Sequence, residues 1–448
     1  METVRWPRAF RPFGSDQFRI LALAVTMSLL GAGVWLVAVV WQVIELDGGP
    51  ADLSLVATGA SLGLVAAVLF GGVAADRIPQ KRILVATEIT KAIAIGLAAL
   101  LASTGAVQIW HLAVVSLVLG IADGFFYPAY SALLPSVLPP DQLLAANGIE
   151  GMLRPTVMQA AGPALASGVI AIASPALAMV LVAGAQLLAV VGLLVFKTTP
   201  LRRDLRGDLR GDSKDDLRRD LGARGQLRAA VTDLADGVRY LVRTPWLLGT
   251  LLFATVLVLL IMGPIEVLLP FAVRDQTGGG PGAFALAIGA FGVGGAIGSL
   301  VVASLPLPRR YLSLMVMLWG AGSLPLSVVG LTGELWVMAA ALFVVGFAFS
   351  SGQVLWGTLL QRRVPLSMLG RVSSLDFFVS LALMPVSMAL AGPIAEVTGL
   401  APAFLVAGLV PVLLAVITIL VARMPADELA HPLDAEPERV PVCADQVS

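Results

Sequence analysis

Twelve long apolar runs set the terms for this chain. They occupy positions 18–44, 53–75, 83–102, 112–134, 143–171 and 175–196, then 246–273, 284–305, 312–331, 335–360, 373–396 and 402–423. A hydrocarbon core about 30 Å thick takes roughly 20 helical residues at about 1.5 Å each, so every run is long enough to cross a bilayer. Lipid offers no partner for a bare N–H or C=O group, and the runs lack the in–out alternation of barrel strands. Helices that satisfy their own backbones remain. The expected fold is therefore an all-α membrane protein with 12 transmembrane helices. Composition agrees: 58% of the residues are hydrophobic and 13% charged. That is about half the charged share of soluble domains, and it excludes a water-soluble two-domain protein.

The runs fall into six, a polar interval, and six more. This gives an N-terminal segment at 1–17, a first bundle at 18–196, a linker at 197–243, a second bundle at 244–423 and a tail at 424–448. The tail is rich in Pro, Asp and Glu without a hydrophobic pattern, and is expected to be disordered. The linker repeats a degenerate tetrad beginning Leu201-Arg202-Arg203-Asp204, which reads as a solvated connector or as a weak amphipathic helix on an anionic leaflet. Local echoes between the halves, such as Gly162-Pro163 and Gly392-Pro393, imply two pseudo-symmetric six-helix bundles with a site between them near the midplane.

Short loops on one side carry Arg77, Lys81, Arg82, Arg309, Arg310, Arg362, Arg363 and Arg371. Loops on the other hold Glu45, Asp47, Asp52 and Glu334, with Arg274 as their lone base. The positive-inside rule then places both termini and the linker in the cytoplasm of a multi-pass plasma-membrane protein. Cys443 is the lone cysteine, and His111 and His431 are the two histidines, so neither a disulfide framework nor a metal set can be assembled and no cofactor is expected. The charges are segregated in loops around a net of zero, and nucleic acid is not an expected partner.

Ionisable residues inside spans cost about 2.5–3.5 kcal/mol each on insertion scales, so those present should be paired or line a cavity. Glu88 and Lys91, three apart, and Glu150 and Arg154, four apart, are spaced as charge pairs on single helix faces. Asp123, Glu266 and Asp376 have no basic residue within four positions, which makes them candidates for proton loading and release. Glu266 and Asp376 also lie near opposite interfaces, where ordinary solvation competes with that role. Phe126 and Trp356 are candidates to hold an apolar compound, with Gln159 and Gln353 adding hydrogen bonds; helix packing is the competing use of all four.

Between the second and third runs lies Gly71-Gly72-Val73-Ala74-Ala75-Asp76-Arg77-Ile78-Pro79-Gln80-Lys81-Arg82. With twelve spans and a central linker, this stretch resembles the loop pattern of the major facilitator superfamily, Gly-x-x-x-Asp-Arg-x-Gly-Arg-Arg/Lys. Gly72, Asp76, Arg77 and Lys81 match it, Arg82 extends the basic end, and Pro79 and Gln80 depart from it. The resemblance implies a gating loop that latches one transport state. Phe125-Phe126-Tyr127-Pro128, Ala146-Asn147-Gly148 and Gln361-Arg362-Arg363-Val364-Pro365 are similar to the branch containing enterobactin exporters and macrolide or multidrug efflux proteins. That implies a secondary active exporter of hydrophobic or amphipathic small molecules, driven by protons through alternating access. A siderophore exporter of the same fold and a non-transporting receptor or sensor are the alternatives. Gly120 stands where many drug–proton antiporters have an arginine, so their proton relay does not carry over. Oligomeric state is left open, with a monomer as the default.

Enzyme motifs fail on context. Gly59-Ala60-Ser61-Leu62-Gly63 has the spacing of a hydrolase elbow but lies within a span and lacks a histidine base. No Gly-Lys-Ser/Thr phosphate loop occurs, so ATP hydrolysis is excluded as the energy source.

Overall fold

The computed structural model describes residues 8–197, 237–305 and 308–432. Within them twelve helices are long and apolar enough to span a membrane. In the first half these are α1 (Asp16–Glu45), α2 (Pro50–Arg77), α3 (Gln80–Ser103), α4 (Ile109–Val137), α5 and α6 (Pro175–Val195). Helix α5 runs in three pieces, Pro140–Leu153, a π-helical Arg154–Ala161 and Gly162–Ile172. The second half holds α7 (Pro245–Thr277), α8 (Pro281–Ser304), α9 (Tyr311–Val329), α10 (Leu335–Arg363), α11 and α12 (Leu400–Val421). Helix α11 comprises Leu366–Leu381 and Met384–Thr398. Proline sets the breaks: Pro155 opens the π segment of α5, and Pro385 follows the interruption of α11. A proline cannot donate its missing N–H and crowds the preceding turn.

Charged punctuation is more helical than the sequence suggests. Gly71 to Arg77 continue α2, Gln80 to Arg82 begin α3, and only Ile78 and Pro79 separate them. The tail expectation also needs correction at its start, because Met424–Ala430 forms a further helix, α13. Arg423 adopts a left-handed φ of 49° to turn the chain back. Met424 and Glu428 are then buried, with Ser313 donating its N–H to Glu428 Oε1 at 2.5 Å and Tyr311 donating to the His431 carbonyl at 2.9 Å. Partners on α9, absent from local sequence, stabilise what composition alone marks as tail. Most of the linker, at 198–236, and the tail at 433–448 lie outside the described residues.

Each half packs around its own helices. In the first, α2 lies along α4 and α1 along α6; in the second, α8 lies along α10 and α9 along α12. Contacts between halves gather at the end bearing the α1–α2 loop, where α11 meets α2 and the later pieces of α5 meet α8. The Gly392 N–H donates to Ser54 Oγ at 2.7 Å, and the Ala51 N–H donates to Glu396 Oε1 at 3.0 Å. The earlier pieces of α5 and α11, next to the linker, contribute little to this seam. The two halves therefore meet at one end and part toward the other.

Close approach needs small residues, since lipid exerts no hydrophobic pressure between helices. A Cβ on Gly346 of α10 would collide with the backbone of Phe291 on α8, whereas one on Gly357 of the same helix meets nothing within 4 Å. Gly346→Leu is expected to destabilise the protein by about 1–3 kcal/mol and to lower its melting temperature in detergent. Gly357→Leu should leave the melt nearly unchanged.

Candidate functional site

A cavity of about 320 Å³ lies between the halves. Its wall is mostly α1 to α4, with Trp35, Val56, Leu64 and Ile95 supplying apolar surface. The second half contributes Glu266 of α7 and Met384 and Met388 of α11. The polar exceptions include Lys91, Asp123, Tyr127 and Gln186. An apolar cleft with few polar groups is the usual form of a small-molecule site.

The polar wall is organised around Lys91. Its ammonium lies 3.3 Å from Glu88 Oε1 on its own helix and 2.6 Å from Asp123 Oδ1 on α4. The Ser28 hydroxyl of α1 donates to Glu88 Oε1 at 2.9 Å, while Glu88 Oε2 has no partner. Glu88 is fully buried, and Asp123 is about a third open toward the cavity. The Lys91 ammonium also sits 4.8 Å from the Phe126 ring centroid, a cation–π contact that compensates part of its lost hydration. The expected Glu88–Lys91 pair is thus present, but Asp123 is not an isolated acid. Its base comes from a neighbouring helix, which spacing along α4 cannot show.

Glu150 and Arg154 are 3.9 Å apart, at the edge of an ion pair, and Arg154 donates to the Tyr127 hydroxyl at 3.0 Å while its guanidinium lies 4.8 Å from the same ring. Tyr127 faces the cavity and so ties Arg154 to the site. Asp376 accepts from Trp356 Nε1 at 3.0 Å and from Ser380 at 3.2 Å. It sits among second-half helices, off the cavity wall. Glu266 does line the cavity, held in the π-helical Pro264–Leu268.

None of the four proposed substrate residues lines this cavity. Phe126 is buried beneath Lys91 and stacks on Tyr130 at 6.1 Å, and Trp356 is buried between Trp246 and Trp319, 6.4 Å from each. Gln159 lies at the α5–α8 seam against Gly292. Gln353 is exposed on α10 and does not line this cavity. Phe126 and Trp356 fill bundle interiors, and the wall is formed by Trp35 and Tyr127 with aliphatic residues and methionines. Sequence reading also missed Ser28 and Glu396, both ordinary polar residues whose partners are more than 50 positions away.

In the charged turn, Lys81 donates to the carbonyls of Leu194, at 3.0 Å, and Phe196. A cation there complements the exposed carbonyls and negative dipole end of α6. This clasp lies within the first bundle. Gly72 faces open space, Arg77 and Arg82 are exposed, and the Asp76 side chain lies outside the described residues.

Removing Lys91 would leave Glu88 buried without its counter-charge. Lys91→Ala is expected to cost about 3–5 kcal/mol, read as a large drop in melting temperature, and Glu88→Gln in the same chain should recover much of it.

Comparison with known proteins follows the same lines. The family model described as Major Facilitator Superfamily matches residues 21–385. The multidrug efflux pump Tap of Mycolicibacterium fortuitum is 26% identical over 426 residues, covering 92% of this chain and 97% of that protein. Macrolide efflux protein A of Streptococcus pyogenes is 23% identical, covering 87% and 92%. Among solved structures, a POT family transporter in complex with a thioalcohol-conjugated peptide superposes with a TM-score of 0.66 at 13% identity, over 90% of this chain and 96% of that one. A bacterial homolog of the human lysosomal transporter Spinster, inward-facing and unoccupied, gives 0.64 at 16% identity, over 92% and 98%. These likenesses are of fold. The chain belongs to the Major Facilitator Superfamily, whose members are transporters and not enzymes.

Proposed function

We propose that this member of the major facilitator superfamily is a proton-coupled exporter of hydrophobic or amphipathic small molecules. The observation that carries the reading is the inter-bundle cavity whose wall holds Lys91 shared between Glu88 and Asp123. Its similarity to the Tap and macrolide efflux proteins along nearly the whole chain supports the outward direction.

The closed seam at the α1–α2 loop end, together with the basic loops at the other, fits a plasma-membrane protein opening toward the cytoplasm. A compound enters from the cytoplasm or inner leaflet and displaces water from the apolar wall. Protonation of Asp123 removes its attraction for Lys91 and leaves the ammonium to Glu88 alone, so proton occupancy and the charge facing the cavity change together. Alternating access then requires the Ser54–Gly392 and Ala51–Glu396 hydrogen bonds to break as the other end closes.

Proteoliposomes carrying an imposed proton gradient test this with a panel of antibiotics and siderophores. Compound-dependent proton flux should appear with the wild type and vanish with Asp123→Asn, while Asp376→Asn, off the cavity wall, should retain it. Compound flux with no proton movement would overturn the coupling. Binding without any flux would move the reading to a receptor.

The seam yields a separate expectation. Glu396→Ala removes the carboxylate that caps α2 from across the interface, worth about 0.5–2 kcal/mol. Electron-paramagnetic distance measurements between labels flanking the seam should show a larger population open at that end.

A further inference from the structure

The cavity reaches deeper into the first half than a gap between two bundles requires. Helices α1 and α4 barely touch, whereas α6 packs along both α1 and α3, and α3 along α4. A slot is therefore left between α1 and α4. The cavity follows it to the outer helices of the bundle, taking Lys91 and Ile95 of α3 and Gln186 of α6 into its wall.

Two neutral polar side chains in that wall are unspent. Gln186 and Ser116 are each 2% exposed, and among the described residues neither side chain makes a hydrogen bond. The Ser61 hydroxyl in the same wall, by contrast, donates to the Ala57 carbonyl one turn back. A carboxamide can donate two hydrogen bonds and accept two, and leaving such a group buried without a partner costs more than an ordinary hydrogen bond returns. The fold nevertheless keeps room for it: a Cβ on Gly31 of α1 would come within 3.0 Å of Gln186 Nε2. Lys91 is held by Glu88 and Asp123, so a charged group entering the slot finds no free counter-ion, and what the wall has left to offer is neutral.

We infer that the slot is a subsite for an uncharged hydroxyl group of the transported compound, with Gln186 as the side chain that recognises it and Ser116 a second neutral partner in the same wall. The apolar body of the compound then lies between the bundles, against Trp35 and Met388. The inference deepens the exporter reading and rests on it for transport, but not for binding. A site with buried polar groups discriminates against an analogue that lacks the partner, because that analogue leaves them unpaired.

2-Naphthol and 2-methylnaphthalene share a ring system and exchange a hydroxyl for a methyl group. Equilibrium dialysis of the full-length protein in a non-ionic detergent should show saturable binding of 2-naphthol. Gln186→Met keeps the length of the side chain and removes its hydrogen bonds; it should weaken 2-naphthol about tenfold and leave 2-methylnaphthalene within about twofold. Comparing each compound between wild type and variant cancels its partition into micelles. The melting temperature of Gln186→Met should not fall, since the variant removes an unpaired polar group, whereas a packing role would lower it and weaken both compounds alike. If Gln186→Met does not give a single symmetric size-exclusion peak, Gln186→Leu carries the same readout. No saturable binding of 2-naphthol, equal weakening of both compounds, or an unchanged affinity for 2-naphthol in the folded variant would overturn the inference, the last outcome assigning the carboxamide to trapped water. Selective 2-naphthol binding by a protein that transports nothing in proteoliposomes would instead defeat the exporter reading and leave this one standing.

Discussion

Hydrocarbon cannot accept a hydrogen bond, and this one fact propagates through the molecule. It forces each apolar run to satisfy its backbone internally as a helix, and it removes the hydrophobic drive that would press helices together in water. Association must then come from close contact. Glycines sit where α8 meets α10 and where α11 meets α2, places at which a Cβ would strike the facing backbone. The seam depends on the same contacts: Gly392 can donate to Ser54 because no side chain holds the two helices apart.

The same solvent makes each buried charge expensive, and the chain meets that cost by sharing. One ammonium serves Glu88 and Asp123, a serine hydroxyl supplements it, and an aromatic ring covers it. Sharing has a functional consequence that a simple pair lacks. An ammonium between two acids keeps one counter-charge even where the other is withdrawn. In the second half, Arg363 is engaged by Asp427 and Tyr311 and lies 4.9 Å from the Trp246 ring, fastening α13 beneath the bundle with no opening toward the cavity. The halves repeat in topology, yet the cavity-facing charge cluster belongs to the first.

Much of the fold was legible because its signal is local and redundant. Any run of about twenty apolar residues spans a bilayer whatever its neighbours do. The candidate site was legible only in part. Glu88 and Lys91 declared themselves at helical spacing, and Asp123 and Glu266 by being ionisable where such residues are rare. That Lys91 reaches Asp123, that Asp376 is occupied by Trp356, and that Phe126 lies beneath an ammonium instead of facing a compound are relations between helices. The helical structure at Met424–Ala430 escaped composition for the same reason, its stabilising partners being Ser313 and Tyr311.

By itself the sequence determined the membrane, the helix count and the short list of ionisable residues that had to be explained. Length and apolarity are properties of a segment, and the bilayer reads them one segment at a time. Only the tertiary structure decided which end of the cleft is sealed, which acids share a base and which acid stands without one. Those outcomes turn on distances of a few ångströms between helices, and groups as far apart along the chain as Ala51 and Glu396 come within reach only when the bundles close around them.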